Sequence, residues 1–231
     1  MPTVVLVRHG RTAANAAGVL AGRTPGVALD ENGRAAVVRL AERLRAARPA
    51  AVVSSPLERC AETARGIAAG RDVVIDDRLT ECDYGSWTGR PLAELREERL
   101  WKVVQDHPSG VVFPGGESLR AVQERAVAAV RDHDTRLAAT DGGAGAVWLA
   151  VSHADVIKAV VADALGMHLD HFQRIVIDPC SVTVVSYTEH RPFVLRLNDV
   201  SGDLGFLAPP ARQEQRSVPA GDAVVGGGAG T

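Results

Sequence analysis

The stretch Val4-Val5-Leu6-Val7-Arg8-His9-Gly10 decides the fold, because a short β-branched run leads straight into an arginine, a histidine and a glycine. Such a run predicts a buried strand, and open α/β sheets carry their chemistry just beyond the carboxyl ends of their strands. Arg8 offers a fixed cation for phosphate or carboxylate, and His9 can serve as nucleophile or base near neutral pH. We expect Gly10 to let the backbone turn tightly beside a bound anion. The alternative is an ordinary surface turn with an exposed histidine.

The composition limits the classes of protein to consider. The chain has 231 residues, 46% of them hydrophobic, which suits one domain with a full core or at most two small ones. The formal net charge of −2 gives no general case for nucleic-acid binding, so an anion site must come from a local cluster of arginines. No apolar stretch approaches the ~20 residues of a membrane span, and no signal peptide is visible.

The cysteines indicate the cellular compartment. Cys60, Cys82 and Cys180 are odd in number and irregularly spaced, which fits a reducing compartment better than a disulfide framework. We therefore expect a cytoplasmic protein without a membrane or nucleic-acid partner.

Strand and helix patterns alternate along the chain. Short apolar runs predict strands at residues 4–7, 51–53, 73–75 and 146–151, and an antiparallel pair at 181–187 and 193–197. Helical patterns cover residues 34–47, 58–69, a short segment around Trp101, 118–139 and a segment that ends at Leu165. Ser55 is a candidate cap for the second of these helices. The alternation predicts an α/β fold, a three-layer α/β/α sandwich with a mostly parallel central sheet.

The C-terminal residues differ in composition from the rest of the chain. From about Ala208 they are mostly Pro, Gly, Ala, Gln and small polar types. The run Gly226-Gly227-Gly228-Ala229-Gly230 superficially resembles a nucleotide-binding loop, but it lacks a following helix and a P-loop lysine. We expect one domain over residues 1–207 and a disordered tail over residues 208–231.

Reactive or anion-binding residues follow each of the first four predicted strands. They are Arg8 and His9, then Arg59 in the first turn of a helix, then Glu81, and finally His153. At the start of its helix, the guanidinium of Arg59 and the helix N-terminus can face one anion together. Each residue alone has an ordinary alternative: a solvated arginine, a surface carboxylate or a hydrogen-bonded core histidine. Their combination predicts an anion site at one edge of the sheet.

The chain resembles the histidine phosphatase superfamily, in the branch that includes cofactor-dependent phosphoglycerate mutase. Four motifs carry the resemblance: Arg8-His9-Gly10 with Thr12 and Asn15, Ser54-Ser55-Pro56-Leu57-x-Arg59, Glu81-x-x-Tyr84-Gly85, and Ser152-His153. The resemblance covers roughly residues 2 to 206, so the domain over residues 1–207 is expected to have a phosphoglycerate mutase-like fold. The Ala- and Arg-rich composition also resembles actinobacterial members, of the phosphatase type.

The resemblance implies a catalytic role for each motif. His9 would attack phosphorus and form a phosphohistidine that water hydrolyses, without a metal or cofactor. Arg8, Arg59 and His153 would hold the phosphoryl oxygens. Glu81 would protonate the leaving oxygen and then activate water, with Asp83 as the competitor for that role.

The same resemblance implies a set of phosphate-binding residues beside these catalytic groups. Asn15 would donate a hydrogen bond to the phosphoryl group, and Thr12 would line the pocket. Tyr84 and Ala154 complete the expected set.

Three departures from the mutase pattern favour a phosphatase. The lysine that mutases carry eleven residues past the glutamate is Leu92 here, and no paired-arginine segment occurs between Leu95 and Gly116. Ala154-Asp155 replaces Gly-Asn, and a carboxylate there would repel a second acidic group. We expect a phosphomonoester hydrolase acting on a small phosphorylated metabolite. A phosphomutase and a non-catalytic phosphate-binding module remain the alternatives.

Substrate specificity is expected to depend on residues 86–118. Trp87 and Phe113 line a leaving-group pocket or, as the alternative, pack this loop onto the sheet. Arg90 or Lys102 could meet a second charge on the substrate. The expected partner is a small-molecule phosphomonoester, and the sequence leaves open whether the protein is a monomer or a homodimer.

Overall fold

The computed structural model describes residues 2–140, 145–201 and 225–228. Within these ranges six strands form one sheet in the order β3-β2-β4-β1-β5-β6. The strands are β1 (Thr3–Arg8), β2 (Val52–Ser54), β3 (Val73–Ile75), β4 (Val147–Ser152), β5 (Val182–Tyr187) and β6 (Pro192–Asp199). The first four are parallel to one another, whereas β5 runs antiparallel to both β1 and β6.

Seven α-helices lie in the described part of the chain. They are α1 (Ala13–Ala16), α2 (Glu31–Leu44), α3 (Glu58–Ile67), α4 (Leu92–Leu95), α5 (Arg99–Asp106), α6 (Leu119–Ala138) and α7 (Ala154–Ala164). Single 3₁₀ turns occur at Arg45–Ala47, Asp77–Leu79, Gly85–Trp87, Pro108–Gly110 and Leu169–Arg174. None of the helices in these ranges is long and apolar enough to cross a lipid bilayer.

The inner strands are buried on both faces because successive side chains of a strand point to opposite sides. In β1, Val5 and Val7 belong to the buried cluster that contains residues of α2 and α3. Val4 and Leu6 belong to the opposite cluster, together with residues of α6 and α7. The predicted three-layer sandwich with a mostly parallel sheet is therefore confirmed.

Helix starts differ from the sequence prediction where a capping residue was misidentified. Asp30 caps α2 by accepting from the Gly33 amide at 2.7 Å, so α2 begins at Glu31 and not at Arg34. The N-cap of α3 is Leu57, which has no side-chain cap bond. The prediction that Ser55 caps this helix is wrong, because its hydroxyl accepts from the amide of the N-cap residue Leu57 itself at 3.4 Å and lies 2.8 Å from His153 Nε2.

The strand order gathers the sequence motifs at one edge of the sheet. β4 lies between β1 and β2, with Arg8 beside Ser152 and Ser54 beside Val151. The segments that follow these three strands therefore leave the sheet next to one another. They carry His9, Arg59 and His153.

The C-terminal residues are described only at 225–228, which we call the strap. Most of the tail expected at residues 208–231 falls outside the described residues. The strap itself differs from a disordered tail, because Val225 is only 1% exposed and belongs to the same buried cluster as Leu20 and Tyr84.

Candidate active site

A cavity of about 500 Å³ opens at the carboxyl edge of the sheet. His9, Arg59 and Glu81 line its floor, and three chain segments form its walls. These walls are drawn from residues 12–22, residues 91–96 and the strap. Five of the nine predicted site residues line the cavity: His9, Thr12, Asn15, Arg59 and Glu81.

His9 presents one ring nitrogen for chemistry. Its Nδ1 lies 2.7 Å from the Gly10 carbonyl oxygen, and because a carbonyl can only accept, Nδ1 carries the proton. Nε2 therefore holds the lone pair, and it accepts a bond from Arg59 Nε at 3.3 Å. Burial, followed by the charges of Arg59 and Arg8, lowers the pKa of His9 well below its ordinary value. The ring is thus neutral at physiological pH, with its nucleophilic nitrogen directed at a guanidinium.

The two arginines are buried and incompletely hydrogen-bonded. Arg8 donates to the carbonyls of Ile177 at 2.8 Å and Gly227 at 3.1 Å. Arg59 donates to the Gly22 carbonyl at 2.8 Å. Arg8 Nε and Arg59 Nη1 are buried without a hydrogen-bond partner among the described residues. Because a buried charged donor is costly when it is unsatisfied, this pair of N–H groups favours an anionic ligand.

His153 lies behind Arg59. Its ring centroid is 5.2 Å from that of His9, and its Nδ1 is 3.2 Å from Arg59 Nη2. A guanidinium only donates, so Nδ1 holds the lone pair and Nε2 donates to the Ser55 hydroxyl. Burial, followed by the charge of Arg59, lowers the pKa of His153 well below its ordinary value. His153 is fully buried and orients Arg59 towards the cavity.

Glu81 supplies a carboxyl group with an unusual proton affinity. It is 4% exposed, and its Oε1 accepts from the Cys82 amide at 3.0 Å. Burial, with a smaller contribution from the Asp155 carboxylate, raises the pKa of Glu81 to about 7. Asp83 does not line the cavity, since its Oδ1 accepts from the Gly85 amide at 3.0 Å. Of the two competing carboxylates, Glu81 is the one the fold brings to the cavity.

The backbone of Glu81 is fixed by two arginines from elsewhere in the chain. Arg23 Nε and Arg125 Nη2 donate to its carbonyl oxygen at 2.8 and 3.2 Å. Both arginines also bond to Glu117, at 3.0 and 2.7 Å. This network holds an irregular loop, and with it the carboxyl group, whose Oε2 lies 3.7 Å from His153 Nδ1.

Thr12 and Asn15 form one wall of the cavity through a capping box at the start of α1. Asn15 Oδ1 accepts from the Thr12 amide at 3.1 Å and from its hydroxyl at 2.9 Å. The backbone amide of Asn15 donates to the Thr12 hydroxyl at 3.2 Å. The side-chain nitrogen Nδ2 is therefore the atom of Asn15 left to donate to a ligand.

Tyr84, Ala154 and Asp155 lie behind the cavity wall. Tyr84 and Ala154 were predicted to bind phosphate, but neither lines the cavity. Both residues are fully buried, and the Tyr84 hydroxyl donates to Asp155 Oδ2 at 2.8 Å. Asp155 Oδ1 is 3.3 Å from Lys158 Nζ. The carboxylate is therefore paired inside the protein, which corrects the idea that it faces and repels a substrate.

Glycine is required at position 10 because α2 passes close to it, and not, as predicted, because the backbone turns tightly there. It is not among the glycines with positive φ. A Cβ atom there would lie 3.0 Å from the Gly33 carbonyl oxygen at the start of α2. Close approach between α2 and the motif, not a special backbone conformation, requires glycine at this position.

The loop between the third strand and α6 uses its aromatic residues for packing. Trp87 stacks on Trp101 with ring centroids 6.2 Å apart and contacts Phe113 at 5.4 Å, and all three are buried. Arg90 pairs with Glu98 at 2.7 Å. None of these residues, nor Lys102 and His107, lines the cavity.

The cavity wall from this loop is made instead by Pro91, Ala93 and Arg96, which the sequence analysis did not select, and by Leu92, which it named as the position of the mutase lysine. The sequence held one indication of this wall: Leu92 and Arg96 are four residues apart, so they share one face of a helix. The strap is the other wall that was missed.

Comparison with known proteins identifies the family. The family model of the histidine phosphatase superfamily (branch 1) matches residues 4–200. The chain belongs to this superfamily. Two relatives of this histidine phosphatase cover most of its length. A protein named "Probable phosphoglycerate mutase GpmB" from Cronobacter sakazakii is 33% identical over 93% of this chain and 99% of the relative. Phosphoserine phosphatase 1 from Hydrogenobacter thermophilus is 30% identical over 86% of this chain and 92% of the relative.

Solved structures of other proteins share the fold. YhfR from Bacillus stearothermophilus superimposes with a TM-score of 0.78 at 30% identity, covering 87% of this chain and 98% of that protein. A mycobacterial glucosyl-3-phosphoglycerate phosphatase, solved with VO3, gives a TM-score of 0.77 at 25% identity, with coverages of 85% and 98%.

Proposed function

We propose that this histidine phosphatase is a metal-independent phosphomonoester hydrolase that acts on a small phosphorylated metabolite through a phosphohistidine. One observation carries the proposal. The neutral His9 ring, with its lone pair on Nε2, lines a cavity together with Arg59, whose Nη1 has no partner among the described residues, and with Glu81, a carboxyl group of raised pKa. Arg8, buried and next to His9 in the chain, carries a second N–H without a partner among those residues. A nucleophile, an anion cradle and a proton donor are the parts that phosphoryl transfer needs.

In the first half-reaction His9 Nε2 attacks phosphorus as the ester oxygen departs. The Nε2–P bond forms while the P–O bond to the leaving group breaks, and Glu81 gives its proton to that oxygen. Arg59 Nε, which now bonds to Nε2 at 3.3 Å, must turn to a phosphoryl oxygen for the attack to proceed. Arg8 and Arg59 stabilise the charge on the transferred group.

In the second half-reaction water releases phosphate from the histidine. Glu81, now a carboxylate, accepts a proton from the water as its oxygen bonds to phosphorus. The Nε2–P bond breaks, and the electron pair returns to Nε2. The protonated carboxyl group of Glu81 and the neutral ring of His9 are thereby restored for the next turnover.

One residue supports hydrolysis over phosphoryl transfer to a second substrate. Leu92, at the position of the mutase lysine, lines the cavity and offers no cation for another acidic group. The phosphoserine phosphatase among the relatives agrees with a hydrolase, whereas the relative named as a mutase keeps isomerisation as an outcome to test.

The deciding experiment is an assay in EDTA with phosphoserine, p-nitrophenyl phosphate and 3-phosphoglycerate. It measures free phosphate in one arm and mutase-coupled isomerisation in the other. Phosphate release in EDTA is the expected result. Isomerisation without release would replace the hydrolase by a mutase, and absence of any turnover would favour a binding module.

The proposed setting is the cytoplasm, with a small-molecule ester as the partner. Cys60, Cys82 and Cys180 are all free and buried, a state that a reducing compartment preserves.

A further inference from the structure

Arg59 is held between two imidazole rings that present different nitrogens to it. Its Nε donates to His9 Nε2 at 3.3 Å, and its Nη2 donates to His153 Nδ1 at 3.2 Å. His9 therefore carries its proton on Nδ1, whereas His153 carries its proton on Nε2. The two neutral rings have opposite tautomers, and both of their lone pairs face one guanidinium.

The hydroxyl of Ser55 fixes the tautomer of His153. Its oxygen lies 2.8 Å from His153 Nε2 and accepts from the Leu57 amide at 3.4 Å. These two N–H groups occupy both lone pairs of the oxygen. Which ring nitrogen of a histidine holds the proton is set by the hydrogen bond that the other nitrogen makes. An acceptor at Nε2 therefore leaves Nδ1 without a proton.

Ser55 is itself fixed at the end of β2. Its amide donates to the Val151 carbonyl of β4 at 3.0 Å. Ser55 and His153 are both fully buried, so water does not compete for the bond between them. Cys60 Sγ also lies 3.4 Å from His153 Nε2, but a thiol is only a weak acceptor. The serine hydroxyl is thus the strong partner of this ring nitrogen.

The other tautomer of His153 would disturb two groups that face the cavity. A proton on Nδ1 would point at the guanidinium of Arg59, donor against donor at 3.2 Å. Arg59 Nη2 would then keep only its bond to the Gly22 carbonyl, at 2.8 Å, among the described residues. Glu81 Oε2 lies 3.7 Å from the same Nδ1. The tautomer therefore decides whether this carboxyl group faces a lone pair or an N–H group.

We propose that Ser55 is a positioning residue whose hydroxyl fixes the tautomer of His153, so that His153 holds Arg59 in place for the phosphoryl group. The catalytic consequence of this inference rests on the proposed function. Arg59 Nη1, which has no hydrogen-bond partner among the described residues, is the donor that this arrangement leaves for the ligand. Ser55 does not line the cavity, so its effect passes through the two side chains between it and the substrate.

A double-mutant cycle on kcat/KM for phosphoserine tests whether Ser55 acts through His153. We expect Ser55→Ala to lower kcat/KM by about 10- to 100-fold, the scale known for partners that fix the tautomer of a metal-ligating histidine. In a His153→Ala background the same substitution should change kcat/KM by less than about twofold, because the ring that it orients is gone. An equal loss in both backgrounds would overturn the proposal.

The matched control is Thr183→Val in β5. Thr183 is buried, and its hydroxyl oxygen accepts from the Asn198 amide at 3.2 Å, much as Ser55 accepts from an amide. It contacts neither histidine and does not line the cavity. The variant should keep the wild-type kcat/KM. A loss as large as that of Ser55→Ala would assign the effect to any missing buried hydroxyl and overturn the positioning role.

The ¹⁵N spectrum of the histidine rings is a readout that a merely structural role would not move. Protonated and bare ring nitrogens give well-separated signals, and those of His153 are identified by their absence from His153→Ala. In the wild type we expect the proton on Nε2 of His153 and on Nδ1 of His9. In Ser55→Ala the Nδ1-protonated form of His153 should appear, while His9 stays unchanged. A wild-type His153 protonated on Nδ1 would overturn the proposal even if Ser55→Ala failed to fold.

Orthovanadate binding separates this inference from the proposed function, because calorimetry measures it without turnover. In Ser55→Ala, but not in Thr183→Val, the affinity should fall about tenfold or more, the scale of one hydrogen bond to a charged group. That loss, together with the change of tautomer, would keep Ser55 as a positioning residue of the anion site even if the wild type hydrolysed nothing. Unchanged tautomer and affinity would reject it even if hydrolysis were confirmed.

Discussion

At the scale of single residues, the hydrogen bond between His9 and the Gly10 carbonyl decides which ring nitrogen holds the lone pair. It fixes the proton on Nδ1 and leaves Nε2 to react. We expect His9→Ala to lower phosphate release by on the order of 10⁴-fold or more, the scale seen when a nucleophile is removed. The variant should still bind orthovanadate through Arg8 and Arg59, as measured by calorimetry.

The control for this variant is His190→Ala, which changes an exposed histidine in the turn between β5 and β6. It should keep full activity. Turnover by His9→Ala at the wild-type rate would reject the phosphohistidine mechanism.

The raised pKa of Glu81 predicts how the rate depends on pH. In the proposed first step protonated Glu81 is the acid, so activity should fall as pH rises through about 7. In Glu81→Gln this limb should disappear and kcat should drop by about 10²-fold or more, the usual contribution of a general acid. The measurement is a kcat profile from pH 5 to 9 with phosphoserine, whose alkoxide leaving group needs the proton. A wild-type alkaline limb that survives in Glu81→Gln would assign it to another group.

The same carboxyl group links stability to pH with a definite sign. Its folded pKa of about 7 lies above the ordinary value of 4.5. The stabilisation is therefore fully present below about pH 4.5 and is lost as pH rises through about 7. We expect the unfolding free energy of the wild type, relative to Glu81→Gln, to decrease by more than about 1 kcal/mol between pH 5 and 8. Urea denaturation at the two pH values measures it, and a difference of the opposite sign would contradict the raised pKa.

The grouping of the two arginines and two histidines was predictable from the sequence for a physical reason. Parallel strands end at one edge of a sheet, so Arg8, His9, Arg59 and His153 had to lie near one another. The roles of Gly10 and Asp155 were not predictable, because they depend on partners distant in sequence: Gly33 for the first, Tyr84 and Gly226 for the second.

At the scale of secondary-structure elements, α2 and α3 pack closely at Gly66. A Cβ on Gly66 would overlap Val37 Cγ1, and β-branched Val37 cannot easily turn away in a helix. We expect Gly66→Ala to destabilise the protein by about 1–3 kcal/mol despite the higher helix propensity of alanine. Chemical denaturation measures the change.

The matching double variant tests this steric cause. Val37→Ala removes the methyl groups that the new Cβ meets, so Gly66→Ala should cost less in that background, with a coupling of about 0.5–3 kcal/mol. Additive effects of the two substitutions would show that the helices do not meet at these side chains.

The strands and helices themselves could be predicted where their sequence is continuously apolar or has a regular apolar face. β1 and β4 are continuous apolar runs and α6 has a regular inward face, so their positions agree with the sequence prediction to within about two residues. The strap has no period at all. Its conformation is imposed by close contact with Leu20, Ala154 and Arg8, and local sequence alone gives no sign of such a surface.

At the scale of the whole molecule, the three thiols report on global unfolding. All are buried, and burial raises the pKa of Cys60 to about 12 and that of Cys180 to about 11. We expect Ellman's reagent to label none of the 3 cysteines rapidly in the native protein and all of them in guanidinium chloride. Iodoacetamide treatment of the native protein should leave turnover unchanged. Fast labelling accompanied by loss of activity would assign Cys60, beneath His153, a chemical role.

The place of β4 between β1 and β2 has a consequence for how the newly made chain matures. Both neighbours of β1 in the sheet, β4 and β5, are synthesised long after it, from residue 147 onwards. On the ribosome β1 therefore waits without a partner, and its Val4–Val7 run needs shielding from other nascent chains. His9 emerges almost at once, yet it cannot meet His153 until β4 has been inserted. The candidate site is thus incomplete while the chain is being made and is assembled only when β4 joins the sheet.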